Sequence, residues 1–163
     1  MNKTLYIGAS NLRRAYESTR GYFHILADVD ARGGRRMSHI RKYCCSDHEH
    51  IIIMLGTNDL YNGETPDKFR ESVMIAIEIL KRHCRQLVVL QIPPVKCSLE
   101  EKRKIFNSII KEVIDNIKDP NVVYYSKSRR IRRKFLKDNI HFDPSQHINI
   151  LKTFCDAQNQ FCK

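Results

Sequence analysis

The chain has 163 residues, 42% of them hydrophobic, and 29 lysines and arginines against 18 aspartates and glutamates leave a formal charge of +11. Such a length and composition suit one globular domain over residues 1–163, and no apolar run approaches the roughly 20 residues of a membrane helix. A disulfide scaffold is excluded too, because Cys44, Cys45, Cys84, Cys97, Cys155 and Cys162 follow no CxxC spacing and are expected as free thiols. The opening MNKTLYIGAS meets a glycine after three apolar residues, too short for a signal-peptide core, so a soluble cytoplasmic protein is expected.

Leu5, Tyr6 and Ile7, closed by Gly8, read as a first strand. Ser10 and Asn11 are N-cap residue types, followed by Leu12, Ala15 and Tyr16 at helical spacing. A serine at this strand-turn-helix junction is exposed by the turn. Phe23 to Val29 reads as a second strand, with Asp30 to Gly34 as its outgoing loop, and Met37, Ile40 and Tyr43 share one face of a short helix. In the stretch from His50 to Leu60, the apolar run Ile51 to Met54 predicts a strand covered on both faces, at the centre of a parallel sheet. The turn Gly56-Thr57-Asn58-Asp59 leaves its carboxyl end, where ligands of such sheets bind.

Thr65 caps the next helix with Pro66 in first position, and Phe69, Val73, Ile77 and Leu80 form its buried stripe. Leu87 to Ile92 is another continuous apolar strand, stopped by Pro93-Pro94. Ser98 with Glu101 predicts a capping box for a long helix through Ile105, Ile109, Val113 and Ile117. Asn121 to Tyr125 supplies a fifth strand, and after a basic run and Asp138-Asn139-Ile140-His141, a last helix carries Ile148, Leu151 and Phe154. Strand and helix alternate throughout, which requires right-handed crossovers and predicts a three-layer α/β/α fold with a five-stranded parallel sheet.

In that architecture the ends of strands one, two and three and the loop after strand five meet at one sheet edge, delivering Ser10, Gly33-Gly34, Asn58 and Asp138 with His141. These are the parts of an acyl-transfer site: a nucleophile, a base, a carboxylate to orient the base, and donors for an oxyanion. A hydroxyl is a weak nucleophile without an imidazole in hydrogen-bond reach, and His141 is the candidate base. The oxyanion donors would be the Ser10 N–H, that of a loop glycine, and the Asn58 side-chain amide.

GASN at 8 to 11, the glycine at 33 or 34, GTND at 56 to 59 and DNIH at 138 to 141 together resemble the four blocks of the SGNH (GDSL-like) esterase and lipase superfamily. The resemblance spans almost the whole chain in block order, with intervals suited to the minimal flavodoxin-like version of that fold. It implies Ser10 as nucleophile, Asn58 and a glycine as oxyanion donors, and Asp138 and His141 as the rest of the triad. Gly34 is preferred to Gly33 because it stands just before a helix. One position departs from the pattern: Ala9 stands where the family usually has an aspartate that supports the nucleophile turn.

The resemblance implies a serine esterase acting on a small-molecule or lipid ester, with acetyl and lipid esters as candidates. In character it is nearest to compact intracellular esterase domains such as those of LINE-type retrotransposons. The OSK domain of Oskar, SGNH-like but non-enzymatic and RNA-binding, gives the alternative: a catalytically idle module holding RNA or another polyanion. Retention of serine, asparagine, aspartate and histidine favours the enzyme.

Arginines cluster in three places, and Arg129, Arg130, Arg132, Arg133 and Lys134, with Arg35 and Arg36, are the candidate contacts to nucleic acid or acidic lipid. His48 and His50 follow Cys44-Cys45, but the spacing fits no standard zinc site. Neither a metal nor a cofactor is expected.

Overall fold

A computed structural model describes residues 2–127, 131–138 and 140–161. Five short segments become the strands β1 (Thr4–Gly8), β2 (Asp28–Ala31), β3 (His48–Ile53), β4 (Cys84–Leu90) and β5 (Val122–Tyr125). All pair in parallel in the order β2-β1-β3-β4-β5. The chain therefore starts near the middle of the sheet and reverses direction after β2, which opens a crevice at the carboxyl ends of β1 and β3.

The helices are α1 (Ser10–Thr19), α2 (Thr57–Tyr61), α3 (Pro66–Lys81), α4 (Glu100–Ile117) and α5 (His147–Gln158), with a 3-10 segment over Met37–Lys42. Side chains alternate across the central strand. Ile51 and Ile53 pack with Phe69 and Val73 of α3 and Phe106 and Ile110 of α4, whereas Ile52 packs with Leu12 of α1 and Leu151 and Phe154 of α5. Each of these isoleucines is at most 1% exposed. Burial of each contributes about 1.5–3 kcal/mol, so the strand that bears the polar turn is also one of the most firmly held.

Several element ends differ from the sequence expectation. The second strand begins at Asp28 and not at Phe23. The ladder with β1 starts at Leu5↔Asp28, and Leu26, apolar but 83% exposed, lies outside the sheet. The fourth strand runs from Cys84 to Leu90, because Ile92 leaves the ladder to donate its N–H to Asn107 Oδ1 at 2.7 Å. No capping box forms at Ser98: Cys97–Leu99 is a single 3-10 turn and α4 starts at Glu100 with Leu99 as an uncapped N-cap. At α3 the expected cap holds, with Thr65 Oγ1 accepting from the Lys68 N–H at 3.3 Å and Pro66 following it.

Among the described residues no helix is long and apolar enough to cross a membrane. Cys44, Cys45, Cys84, Cys97 and Cys155 are free thiols, and Cys162 lies outside the described residues.

Candidate active site

The β1–α1 turn is tight: a Cβ on Gly8 would stand 2.8 Å from Leu12 Cβ and Cδ2. Ala9 takes the N-cap position with no side-chain cap, and Ser10 is the first residue of α1. Ser10 is thus no cap, as its residue type suggested, and its hydroxyl stays available while its N–H is among those a helix start leaves unbonded. Ser10 is 8% exposed, at the floor of the crevice.

His141 faces it from the loop after β5. Its Nε2 lies 3.1 Å from Ser10 Oγ and its Nδ1 lies 2.8 Å from Asp138 Oδ2. An ionised carboxylate can only accept, so Nδ1 carries the proton and Nε2 is left as the acceptor for the serine hydroxyl. Asp138 Oδ1 also accepts from the N–H of His141 at 2.7 Å and of Ile140 at 3.2 Å. The ring's hydrogen bond first, and the His141 N–H second, hold the Asp138 carboxyl well below the usual carboxylate range.

What fixes this loop is a residue with no expected role beyond capping. Asn11, next to the serine, donates from Nδ2 to the Ile140 carbonyl and accepts at Oδ1 from the Phe142 N–H, each at 3.2 Å. It grips the peptides on both sides of His141. Phe142 is buried in the α1/α5 core, and the Lys137 N–H donates to the His141 carbonyl at 2.7 Å. The sequence signal was an asparagine directly after the serine, and nothing local showed that its partner lies about 130 residues on.

Asn58 enters from β3. Gly56 makes the turn with φ +131°, and a Cβ there would fall 2.5 Å from the Ile92 side chain, so both backbone shape and space demand glycine. Asn58 Nδ2 donates to the Arg35 carbonyl at 3.0 Å. Ser10, Asn58, Met54, Leu55, Pro93 and Ile140 line one narrow cleft of about 20 Å³. The loop after β2 contributes Arg35 to that lining; Gly34, at φ +75°, lies one residue before it and borders an adjoining cavity of about 440 Å³.

Arg35 is not a surface contact for polyanions, contrary to its reading in the sequence. Its side chain is 6% exposed and its guanidinium is spent internally: Nη2 on Asp30 Oδ1 at 2.9 Å, Nη1 on the Asp30 carbonyl at 2.8 Å and on the Gly8 carbonyl at 3.4 Å. Tyr43 Oη completes the cluster by donating to Asp30 Oδ2 at 2.7 Å. Burial alone would raise the Asp30 carboxyl, but the hydrogen bonds from Tyr43 and Arg35 together outweigh it and keep it below its ordinary range. Arg35 therefore ties the ends of β1 and β2 together and, through its carbonyl, holds Asn58.

Asp59 is fully buried, and both its oxygens accept from the Met37 N–H, at 3.2 and 3.1 Å. Burial pushes its carboxyl up to about 6 against those hydrogen bonds. It braces the turn and stands outside the Ser10–His141–Asp138 line. Of the remaining basic residues, Arg132, Arg133 and Lys134 are exposed, Arg36 is half-buried, and Arg129 and Arg130 lie outside the described residues. His48 bonds Asp28 Oδ2 at 2.9 Å and the Ser46 carbonyl at 2.8 Å.

Comparison with known proteins bears on the same residues. The sequence pattern of the GDSL-like Lipase/Acylhydrolase family matches residues 7–154. A sequence comparison with curated proteins gives no match. Among solved structures, a Bacteroides fragilis protein assigned as an acylhydrolase is similar with a TM-score of 0.75 at 16% identity, over 98% of this chain and 88% of that one. The psychrotrophic esterase EstA from Pseudoalteromonas sp. gives 0.70 at 13% identity over 99% of both chains. The acetylxylan esterase Axe2 from Geobacillus stearothermophilus gives 0.68 at 9% identity, over 96% of this chain and 93% of that one. At these identities the neighbours establish a shared fold.

Proposed function

The chain belongs to the GDSL-like lipase/acylhydrolase family, within the SGNH superfamily of ester hydrolases, and from that premise we propose that it is a serine esterase releasing a short acyl group through an acyl-Ser10 intermediate. The observation that carries this reading is the continuous line from Ser10 Oγ through His141 to Asp138, at 3.1 and 2.8 Å. Nε2 takes the hydroxyl proton as Oγ attacks the ester carbonyl carbon. The negative charge on the carbonyl oxygen is met by the Ser10 N–H and the Asn58 amide, which share the cleft, whereas Gly34 borders the adjoining cavity and is not among the cleft's lining. Collapse breaks the bond to the alcohol, which leaves with the proton from Nε2. Water then gives a proton to Nε2 and attacks the acyl carbon, and Ser10 leaves with that proton.

The size of the acyl group is argued from the cleft. A volume of about 20 Å³ beside Ser10 is little more than one water needs, and suits an acetyl methyl better than a lipid chain. Acetyl, butyryl and octanoyl p-nitrophenyl esters test this with the wild type and Ser10→Ala. The expected result is a rate that falls with chain length and is lost in the variant. Equal hydrolysis by both proteins, or none on a broad ester panel, overturns the reading.

A second role, binding of RNA or another polyanion, is favoured by the exposed Arg132, Arg133 and Lys134, which lead into the Asp138–His141 loop. It is compatible with hydrolysis. Salt-dependent RNA binding that is lost in Arg132→Glu/Arg133→Glu supports it, and no binding at low salt rejects it.

A further inference from the structure

The inner face of α3 packs on the sheet through Phe69, Val73, Ala76, Ile77 and Leu80. Its outer face leaves Met74, an apolar side chain, 55% exposed beside a groove of about 670 Å³ between α3 and α4. Ile77 and Val113 floor the groove and Ile117, 36% exposed, stands at its side. A long apolar side chain next to an apolar groove is an unusual pair of features to leave in water together.

The charges around Met74 say what could cover it. Asp67, Arg70, Met74, Glu78 and Lys81 rise by three, four, four and three residues, which sets them in one stripe along the helix. Their spacing is symmetric about Met74, and their signs are opposed: minus, plus, apolar, minus, plus. A second copy laid antiparallel and centred on Met74 puts its Lys81 level with Asp67 and its Glu78 level with Arg70, and by symmetry each pair occurs twice. A foreign helix has no reason to carry that complement, whereas the same helix reversed carries it in full.

We propose that this face of α3 pairs with the same face of a second copy of this chain, antiparallel about a two-fold axis at Met74, with each Met74 entering the groove of the other. The contact is isologous, as in most homodimers. Arg70 already meets Glu112 at 2.9 Å and Glu78 meets Arg82 at 3.6 Å, both on the surface, and Lys81 meets the half-buried Asp119 at 2.6 Å. Such exposed pairs hold little energy, so each stripe charge can be shared with the opposite chain. The four stripe charges also sum to zero in a chain of +11, so this face adds nothing to the repulsion between copies. One helix pair is a small interface, so a weak, concentration-dependent dimer is expected.

Sedimentation equilibrium of the full chain tests the pairing, with circular dichroism and ester hydrolysis as checks that each variant is folded. The wild type is expected to dimerise, and Met74→Glu to be monomeric. Arg70→Glu and Glu78→Arg each set like charges against one another twice and are expected to weaken the dimer by about tenfold or more. Combining them restores the opposite-sign pairing and the affinity. If Arg70→Glu fails to fold, Asp67→Lys and Lys81→Asp provide the same cycle at the outer pair. A wild type that stays monomeric at its highest soluble concentration overturns the proposal, as do single reversals that dimerise like the wild type or a double reversal that recovers nothing.

Discussion

The two halves of the candidate site are held in different ways. Ser10 and Asn58 stand at strand ends, where Gly8 and Gly56 force tight turns out of a buried sheet and the helix that follows fixes the side chain. Asp138 and His141 stand on a loop whose position comes from long-range bonds, chiefly those of Asn11 to the Ile140 and Phe142 peptides. The first half takes its place mainly from tight local turns, with the Arg35 carbonyl steadying the Asn58 side chain, whereas the second depends chiefly on the Asn11 side chain, about 130 residues away. A site built this way is most easily disturbed from its loop side, and substitutions there should affect rate before stability.

Asp138→Asn should give the largest effect, lowering kcat by about 10³-fold, equivalent to about 4 kcal/mol, by removing the charge that holds His141 in the tautomer with Nε2 free. Steady-state kinetics on an acetyl ester measure it, and a loss below about tenfold would mean that the loop half is not set by this carboxylate. Because the Asp138 pKa is depressed in the fold, its stabilising hydrogen bonds are present above the ordinary carboxylate pKa and are lost only as pH falls through the lowered value. The Asp138–His141 contact should therefore survive mild acid.

Asp59→Asn probes the strand half through stability. Folding raises this carboxyl from 3.8 to about 6, so the folded chain holds a proton that the unfolded chain has released in that interval. The contribution of Asp59 to stability thus falls as pH rises from about 4 to 6, by up to about 3 kcal/mol. Asparagine keeps an acceptor for the Met37 N–H and has no such titration. Urea midpoints of the two proteins between pH 4 and 7 should diverge in that direction; parallel curves would show that Asp59 is not proton-linked to folding.

Asn11→Ala is expected to be milder, costing about 10- to 100-fold in kcat with KM little changed, because it frees the loop and both polar atoms of the Asn11 side chain are engaged there. The split between kcat and KM checks it. An equal rise in KM would place Asn11 in substrate binding and break the contrast between the two halves.

Much of the strand half was legible in the sequence. Ile51 to Met54 followed by Gly56 and Asn58 has few physical readings other than a buried strand with a polar turn at its mouth, and Ser10 after Gly8 is fixed in the same local way. The start of β2 was not legible, because Phe23 to Val29 is apolar enough for a strand while the pairing partner of Asp28 is Leu5, in another element. Arg35 misled for a related reason: arginine reads as surface charge, and only the fold reveals that Asp30, Tyr43 and the Gly8 carbonyl surround it. The same applies to Asn11. Contacts fixed by neighbours along the chain leave a signature in residue type and spacing, whereas those made across the fold do not.

The central claim is that Ser10 is an activated nucleophile, and labelling with a fluorophosphonate probe followed by mass-spectrometric site mapping tests it without knowledge of the substrate. The expected result is a single phosphonylated residue, Ser10, in the wild type, with labelling abolished in His141→Ala. No adduct on Ser10 in the folded wild type, or an adduct that forms equally fast without His141, would contradict it.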